Sequence, residues 1–469
     1  MRLCAAAALL AASAAAAALP PPPATCAGAV NNLALSPGDA APILNATANG
    51  SSKRQVTAGL AAPLTVLHVY GSIYDMHYAA GQLLQQEIAA LVPATLSYLY
   101  AQVNASYNLT WLPEPVRDWV VEYGVETALD WTFNATLAYS PAHWVDAVAG
   151  LAAGSGASVT DIRRVAMIAE WTRAQCSMLG AWGPATPSGR LVQLRALDWD
   201  TDGPFQRFPV LTVFHPDAAS GGVPNAVLGW AGMLGAITGV SSAGVGISEK
   251  VWDAYKGVDN AFGYAWNFLL QDALMWDRDS DQVMSRIATA NRTCAIWIGV
   301  GDDHGNGGGG SFKAVAYSAQ QVSIYNDVNF PAYVSARAPQ RLARTSTAPT
   351  LTHSLTHSLT HSRRPQPNHD LFKNLVFINK HVQPSSEPCM NDLLHAAYGS
   401  VTGLLTLQYV TALEQTGDMH IAVMDWGADR LYVANAAPGG AQKAYDSTFV
   451  EFTMSALWAE PPAGARTDF

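Results

Sequence analysis

The spacing of apolar residues changes at Cys176, and this change constrains the fold more than any other feature of the chain. Ahead of it the period is mainly helical, after one alternating strand at 64–70. Ser72 can cap a helix whose apolar face is Ile73, Met76, Ala80, Leu83, Leu84, Ile88 and Leu91. Another helix opens at Thr160-Asp161, runs through Val165, Ile168 and Trp171, and ends just before Cys176. Beyond Cys176, short apolar runs separated by Gly, Pro and Asp predict strands at 209–214, 226–230, 236–240, 245–248, 294–300, 314–318 and 322–325. Helices interrupt them near 260–276 and 279–290. A helical run at 392–413 precedes two closing strands, 420–424 and 430–435, with Gly427 at the turn.

At the change itself, Cys176-Ser177-Met178-Leu179-Gly180 reads as a strand. A turn-rich stretch, 183–189, follows, and 191–198 reads as a second strand. Paired as a hairpin, they set Cys176 roughly opposite residue 196, with Arg195 and Asp198 beside the thiol. A nearby cation favours thiolate, so this grouping is a candidate nucleophilic site. The competing reading is a buried structural cysteine on an ordinary hairpin.

The first 25 residues set the compartment. Arg2 is followed by an Ala/Leu run to Leu19, small residues at 16–18 and four prolines from Pro20 to Pro23, the pattern of a secretory signal peptide. No later stretch of about 18 uncharged apolar residues occurs, so no integral membrane segment is expected after its removal. Acceptor triplets for N-linked sugar begin at Asn45, Asn49, Asn104, Asn108, Asn134 and Asn291. The net charge of −10 and the lack of a long basic run argue against nucleic acid as a partner.

Once Cys4 leaves with the leader, Cys26, Cys176, Cys294 and Cys389 remain, too few for a disulfide framework. Cys294 with Cys389 is one candidate bridge, which leaves Cys26 in a flexible terminus and Cys176 unpaired. An unpaired Cys176 in an oxidising compartment needs either burial or a chemical task. Leu-Thr-His-Ser occurs three times over 351–362, with no helix- or strand-compatible apolar face. This reads as a low-complexity insert at 346–368 outside the fold, and not as a metal site.

The hairpin sequence, with Gly189-Arg190-Leu191 and Arg195-Ala196-Leu197-Asp198-Trp199, resembles the start of the catalytic chain of Cys-type N-terminal-nucleophile (Ntn) hydrolases. The resemblance is to the acyl-coenzyme A:6-aminopenicillanic acid acyltransferase-like group. Bile-salt hydrolases, acid ceramidases and phospholipase B-like proteins are more distant relatives. Three further segments agree with that group: Gly71-Ser72 with the helix after it, Gly232 to Gly246, and Thr416-Gly417-Asp418-Met419-His420 with the strands that follow. Together they span most of residues 65–437, outside the insert.

The resemblance implies an α+β fold, a four-layer αββα sandwich. It divides the chain into a leader (1–25), a mainly helical N-terminal chain (26–175) and a catalytic chain (176–469). It implies self-cleavage between Gln175 and Cys176, with the cleaved chains staying associated and the new α-amine as base. It gives Arg195 to the thiolate and substrate, Asp198 to the amine, and Asn329 as a candidate oxyanion donor. Where bile-salt hydrolases carry an Asn shortly after the Gly-Leu that corresponds to Gly244-Val245, this chain has Ser248-Glu249-Lys250-Val251. The implied activity is hydrolysis or acyl transfer at a linear amide, on a small N-acyl substrate, in a secreted or lysosomal enzyme without a cofactor. The alternatives are a phospholipase B-like lipid hydrolase and a secreted glycoprotein that uses the fold without catalysis.

Overall fold

The structure is a computed structural model that describes residues 19–107, 114–171, 174–330, 369–383 and 385–464. The insert at 346–368 and the sequon at Asn108 lie outside the described residues. The N-terminal segment supplies Ser36–Pro37 (β1), Ile43–Ala46 (β2), Ser52–Val56 (β3) and Leu64–Gly71 (β4), where one strand was expected. Helices Ile73–Leu83 (α1), Gln85–Tyr107 (α2), Glu114–Leu137 (α3), His143–Ser155 (α4), Val159–Ala166 (α5) and Ile168–Trp171 (α6) follow. Ser72 caps α1 as expected, in a reciprocal box with Asp75 that satisfies two backbone donors of the first turn.

The hairpin is Gln175–Gly183 (β5) and Gly189–Asp198 (β6). After it come Pro209–Pro216 (β7), Asn225–Trp230 (β8), Thr238–Ser241 (β9) and Val245–Val251 (β10). Helices Trp266–Trp276 (α7) and Ser280–Thr289 (α8) precede Ile296–Asp302 (β11), Ser311–Tyr317 (β12) and Val322–Tyr325 (β13). Leu375–Ile378 (β14), His420–Asp425 (β15), Arg430–Asn435 (β16) and Val450–Thr453 (β17) complete the sheets.

Two sheets result, a seven-stranded one in the order β1-β17-β16-β15-β6-β5-β14 and a ten-stranded one in the order β13-β12-β11-β10-β9-β8-β7-β4-β3-β2. Three apolar layers hold them. Met178, Leu211, Phe312 and Met424 pack between the sheets. Leu67, Ile88, Phe268 and Val300 join the ten-stranded sheet to helices on its outer face. Leu179, Leu194, Leu393 and Val423 join the seven-stranded sheet to the helices after residue 388. The order of layers is helix, sheet, sheet, helix: the expected αββα sandwich.

Several details differ from the sequence reading. The disulfide is Cys26–Cys389, and Cys294 is free. The segment around Cys26 lies along the C-terminal helical run, with Gly28 N–H donating to Leu413 O and Asn31 N–H to Gln408 O, so this end is fixed and not loose. Residues 19–25, read as part of the leader, join this contact through Tyr409 Oη, which donates to Pro21 O at 3.0 Å. The run at 392–413 is not one helix: Cys389–Ala397 ends before Gly399, whose φ is +83°, and Thr402 caps a new turn at Gly403–Leu405.

Candidate active site

Strand alternation decides which hairpin residues meet. Cys176 pairs with Leu197, one position from the expected partner, and Gln175 pairs with Asp198. Residues two apart share a face, so Arg195 stands beside the thiol, whereas Asp198 belongs to the opposite face. Both strands are interior to the seven-stranded sheet and mostly buried, which is how a guanidinium comes to be held there away from solvent.

Arg195 is fully buried. Its Nη2 lies 3.5 Å from Cys176 Sγ and 3.3 Å from Glu249 Oε2, its Nε donates to Glu249 O at 3.3 Å, and its Nη1 meets His420 Nε2 at 3.0 Å. Thr238 Oγ1 reaches the same His420 nitrogen at 3.1 Å. Burial and the Arg195 charge hold the imidazole well below its usual range, so His420 is neutral and accepts from Arg195. Burial pushes Glu249 up to about 7, against the pull of Arg195 and Lys250. The Cys176 thiol is pushed up to about 12: burial outweighs the Arg195 charge, and Glu249 adds to it. Burial therefore favours the protonated thiol at Cys176.

On the other face, Asp198 accepts from Thr416 Oγ1 and Gly417 N, each at 2.7 Å, and from Asp418 N at 3.3 Å. Ser177 Oγ meets Thr416 Oγ1 at 2.6 Å, which ties the loop to the strand that carries Cys176. Burial raises Asp198 to about 6 despite these donors. By register it stands across from the Gln175–Cys176 peptide bond.

Asn329 is not brought into this group. Its Oδ1 accepts from Asn326 N at 2.6 Å and its Nδ2 donates to Ile324 O at 3.2 Å, closing the turn after the edge strand β13. That strand is three places from β10, which carries Glu249, or roughly 14 Å at about 4.8 Å per strand. The charged residues that act on the thiol besides Arg195 and Asp198 come from a strand far away in sequence. Glu249 and Lys250 are on β10, and the buried Lys250 Nζ donates to Lys380 O at 3.0 Å. Asn379 and Lys380 follow β14, whose last pair is Ile378 with Met178. The departure at 248–251 was the one sequence signal for Glu249 and Lys250. Asn379 had none.

An apolar cavity opens beside the hairpin, with Ala174, Arg195, Leu197, Trp199, Trp230 and Glu249 in its walls. Trp199 also lines a larger space between α2 and α3. Of the sequon asparagines, Asn45, Asn49, Asn134 and Asn291 are exposed and Asn104 is half-buried. Among the described residues no helix is long and apolar enough to cross a membrane.

No family model matches the chain. Among solved structures it is similar to the Caenorhabditis elegans N-acylethanolamine-hydrolyzing acid amidase (NAAA) ortholog, at 15% identity over 32% of this chain and 64% of that one, with a TM-score of 0.26. It is similar to a conjugated bile acid hydrolase from Clostridium perfringens at 11% identity, over 62% and 95% of the two chains, with a TM-score of 0.36. For penicillin V acylase from Agrobacterium tumefaciens the values are 10%, 61%, 89% and 0.30. In sequence, protein dcd1A of Dictyostelium discoideum is 33% identical over 387 residues, 80% of either chain. Protein dcd1B of the same organism is 31% identical over 431 residues, which is 89% of this chain and 79% of that protein. The present chain belongs to the family of these two Dictyostelium proteins.

Proposed function

We propose that the protein is a self-cleaving thiol amidase of the N-terminal-nucleophile type, acting on N-acyl compounds in the secretory pathway or lysosome. The observation that carries this reading is the buried Arg195 guanidinium 3.5 Å from Cys176 Sγ, at the wall of an apolar cavity. In the first step the Cys176 thiol adds to the Gln175 carbonyl carbon. The Gln175–Cys176 C–N bond breaks, the nitrogen takes up a proton, and a thioester is left. Water then hydrolyses the thioester to a Gln175 carboxylate and a free thiol. The new α-amine has an ordinary pKa of about 7.7–8.0, close to neutral pH, and can take the thiol proton without a histidine base.

In turnover the thiolate attacks the amide carbonyl, the amine leaves with a proton, and water or a second amine takes the acyl group from sulfur. Arg195 stabilises the thiolate, and Asp198 faces the amine across the hairpin. The apolar cavity suits an acyl chain, since such surfaces bind by burial with few polar groups. The exposed asparagines of four sequons fit a glycosylated chain.

The test is the state of the purified chain. A reducing gel should give two fragments, with the C-terminal one beginning Cys-Ser-Met-Leu. A non-reducing gel should give one band, because the Cys26–Cys389 bridge spans the cut. Cys176→Ala should stay whole and inactive against a panel of N-acyl amides. An intact wild-type chain with full amidase activity would overturn the reading.

A further inference from the structure

Glu414 ends the short helix Ala412–Glu414 and is 5% exposed, yet neither carboxylate oxygen has a hydrogen-bond partner. A buried polar group without partners is costly and calls for an explanation. The first turn of Cys389–Ala397 turns the Met390 N–H toward this carboxylate, outside hydrogen-bonding geometry. Lys380 stands close enough to act on it by charge, but donates its proton to Gln415 O at 2.7 Å.

What the carboxylate does face is a pair of donor side chains. One ligand atom each of Glu414, Glu387 and His381 lie within 4.8 Å of one another, with His381 and Glu387 half-buried. Glu387 spends one oxygen on the Cys389 N–H at 2.9 Å and keeps the other. Such a group, an imidazole and two carboxylates converging with one carboxylate otherwise unsatisfied, is a cation's donor set. We propose that His381, Glu387 and Glu414 bind a divalent transition-metal ion of the zinc type.

The chemistry selects the class. Two carboxylates balance a charge of +2, and an imidazole ligand favours zinc and its neighbours over calcium or magnesium, which take oxygen. Tetrahedral bonds of about 2.0–2.2 Å need donor atoms about 3.3 Å apart, so the three groups close by at most about 1.5 Å on binding. A fourth position is left for water. Metal binding also removes the cost of the buried Glu414 charge, since the ligating form is the carboxylate.

The site lies behind the nucleophile. Glu414 leads through Gln415 to Thr416 and Gly417, which hold Asp198. His381 follows Asn379 and Lys380, next in line after the Ile378–Met178 pair. Glu387 lies two residues before the disulfide at Cys389. A cation here would fasten these three stretches to one another, a positioning and stabilising task.

The experiment uses the full-length protein, stripped with a chelator and titrated with zinc by calorimetry. His353, His357 and His361 of the repeat are all changed to Ser, so that the repeat cannot supply the signal. One zinc should bind per chain, and its addition should raise the melting temperature. Glu414→Gln and His381→Ala should each weaken binding at least tenfold and remove most of the thermal shift. A melt of each metal-free variant checks that it folds. If Glu414→Gln does not fold, the half-buried His381→Ala decides. No zinc bound at 100-fold excess, or equal affinity in both variants, overturns the site.

Discussion

Arg195 is where the chemistry and the cost of the site meet. A fully buried guanidinium is tolerated only when its hydrogens are spent, and here they go to the thiol, to Glu249 and to a neutral imidazole. Arg195→Ala would leave Glu249 unpaired and confuse folding with catalysis. Arg195→Lys is the cleaner change, because it keeps the charge but lacks the planar fork that reaches all three partners. We expect it to fold and to lose at least about a hundredfold in turnover, the scale of lost electrostatic help. Asp198→Asn can keep accepting from Gly417 N and can donate to Thr416, so it should melt near wild type and lose a similar factor. Turnover on a responsive amide, with melting as the fold control, is the measurement. If both variants turn over like wild type, the hairpin is scaffold. The placement of Cys176, Arg195 and Asp198 on one hairpin was legible in the sequence, because a marked turn joins two strand-like runs. Their placement on two faces follows from odd spacing on a strand. Glu249, Thr238 and His420 were not legible as a site, because only the stacking of two sheets brings them to Arg195. The place of Asn329 away from the thiol was not legible for the same reason: its motif fixed a local turn and not a position across the sheet.

Between the sheets, close approach is set by glycines opposite one polar side chain. Gln193 on β6 crosses the gap to donate to Ser248 Oγ at 2.9 Å on β10. A Cβ on Gly301 would meet Gln193 Oε1 at 2.0 Å, and one on Gly246 would meet it at 2.2 Å. Gly301→Ala must push the sheets apart or break that hydrogen bond. We expect it to destabilise the protein by about 1–3 kcal/mol, the usual cost of overpacking. Gly124 is the control, since it sits inside α3 and a Cβ there meets nothing within 4 Å. Gly124→Ala should stabilise by about 0.5–1 kcal/mol through helix propensity. Denaturant melts of the two variants should shift in opposite directions. Equal shifts would mean that the gap yields. The glycine-rich strands were visible in the sequence as strands, because their period is short and their turns are marked. The break at Gly399 was missed because the apolar residues on either side keep a helical spacing. The four-residue strand β17 was too short to show a period.

At the scale of the whole molecule, the two parts of the chain are interlocked. β1 from the N-terminal segment pairs with β17, β4 pairs with β7 in parallel, and the disulfide joins Cys26 to Cys389. These contacts run between residues from 145 to 414 apart, so the αββα layering was legible through a family likeness and not through local pattern. The same burial that builds the layers leaves acids inside them, and this sets how stability depends on pH. Burial pushes Glu170 and Glu249 up to about 7 and Glu414 up to about 8. An acid whose folded pKa is raised binds more protons folded than unfolded. Its contribution is complete below the unfolded value of about 4.3 and is lost as pH rises through the folded one. The buried histidines act in the opposite sense. Burial lowers His68 to about 3 and both His77 and His215 to about 4, so they cost stability as pH falls below about 6.5, where the unfolded chain takes up protons. The two trends oppose each other in mild acid, but between about pH 7 and 8 the carboxyl groups dominate. Melting temperature should therefore fall across that window, each acid contributing at most about 1.4 kcal/mol per pH unit. Thermal melts at fixed ionic strength, with a chelator present to keep any cation off Glu414, measure the slope. Glu414→Gln removes the group that titrates highest and should flatten it. A melting temperature that rises from pH 7 to 8 would mean that these carboxyl groups are ionised in the folded protein, each with a partner that compensates its charge.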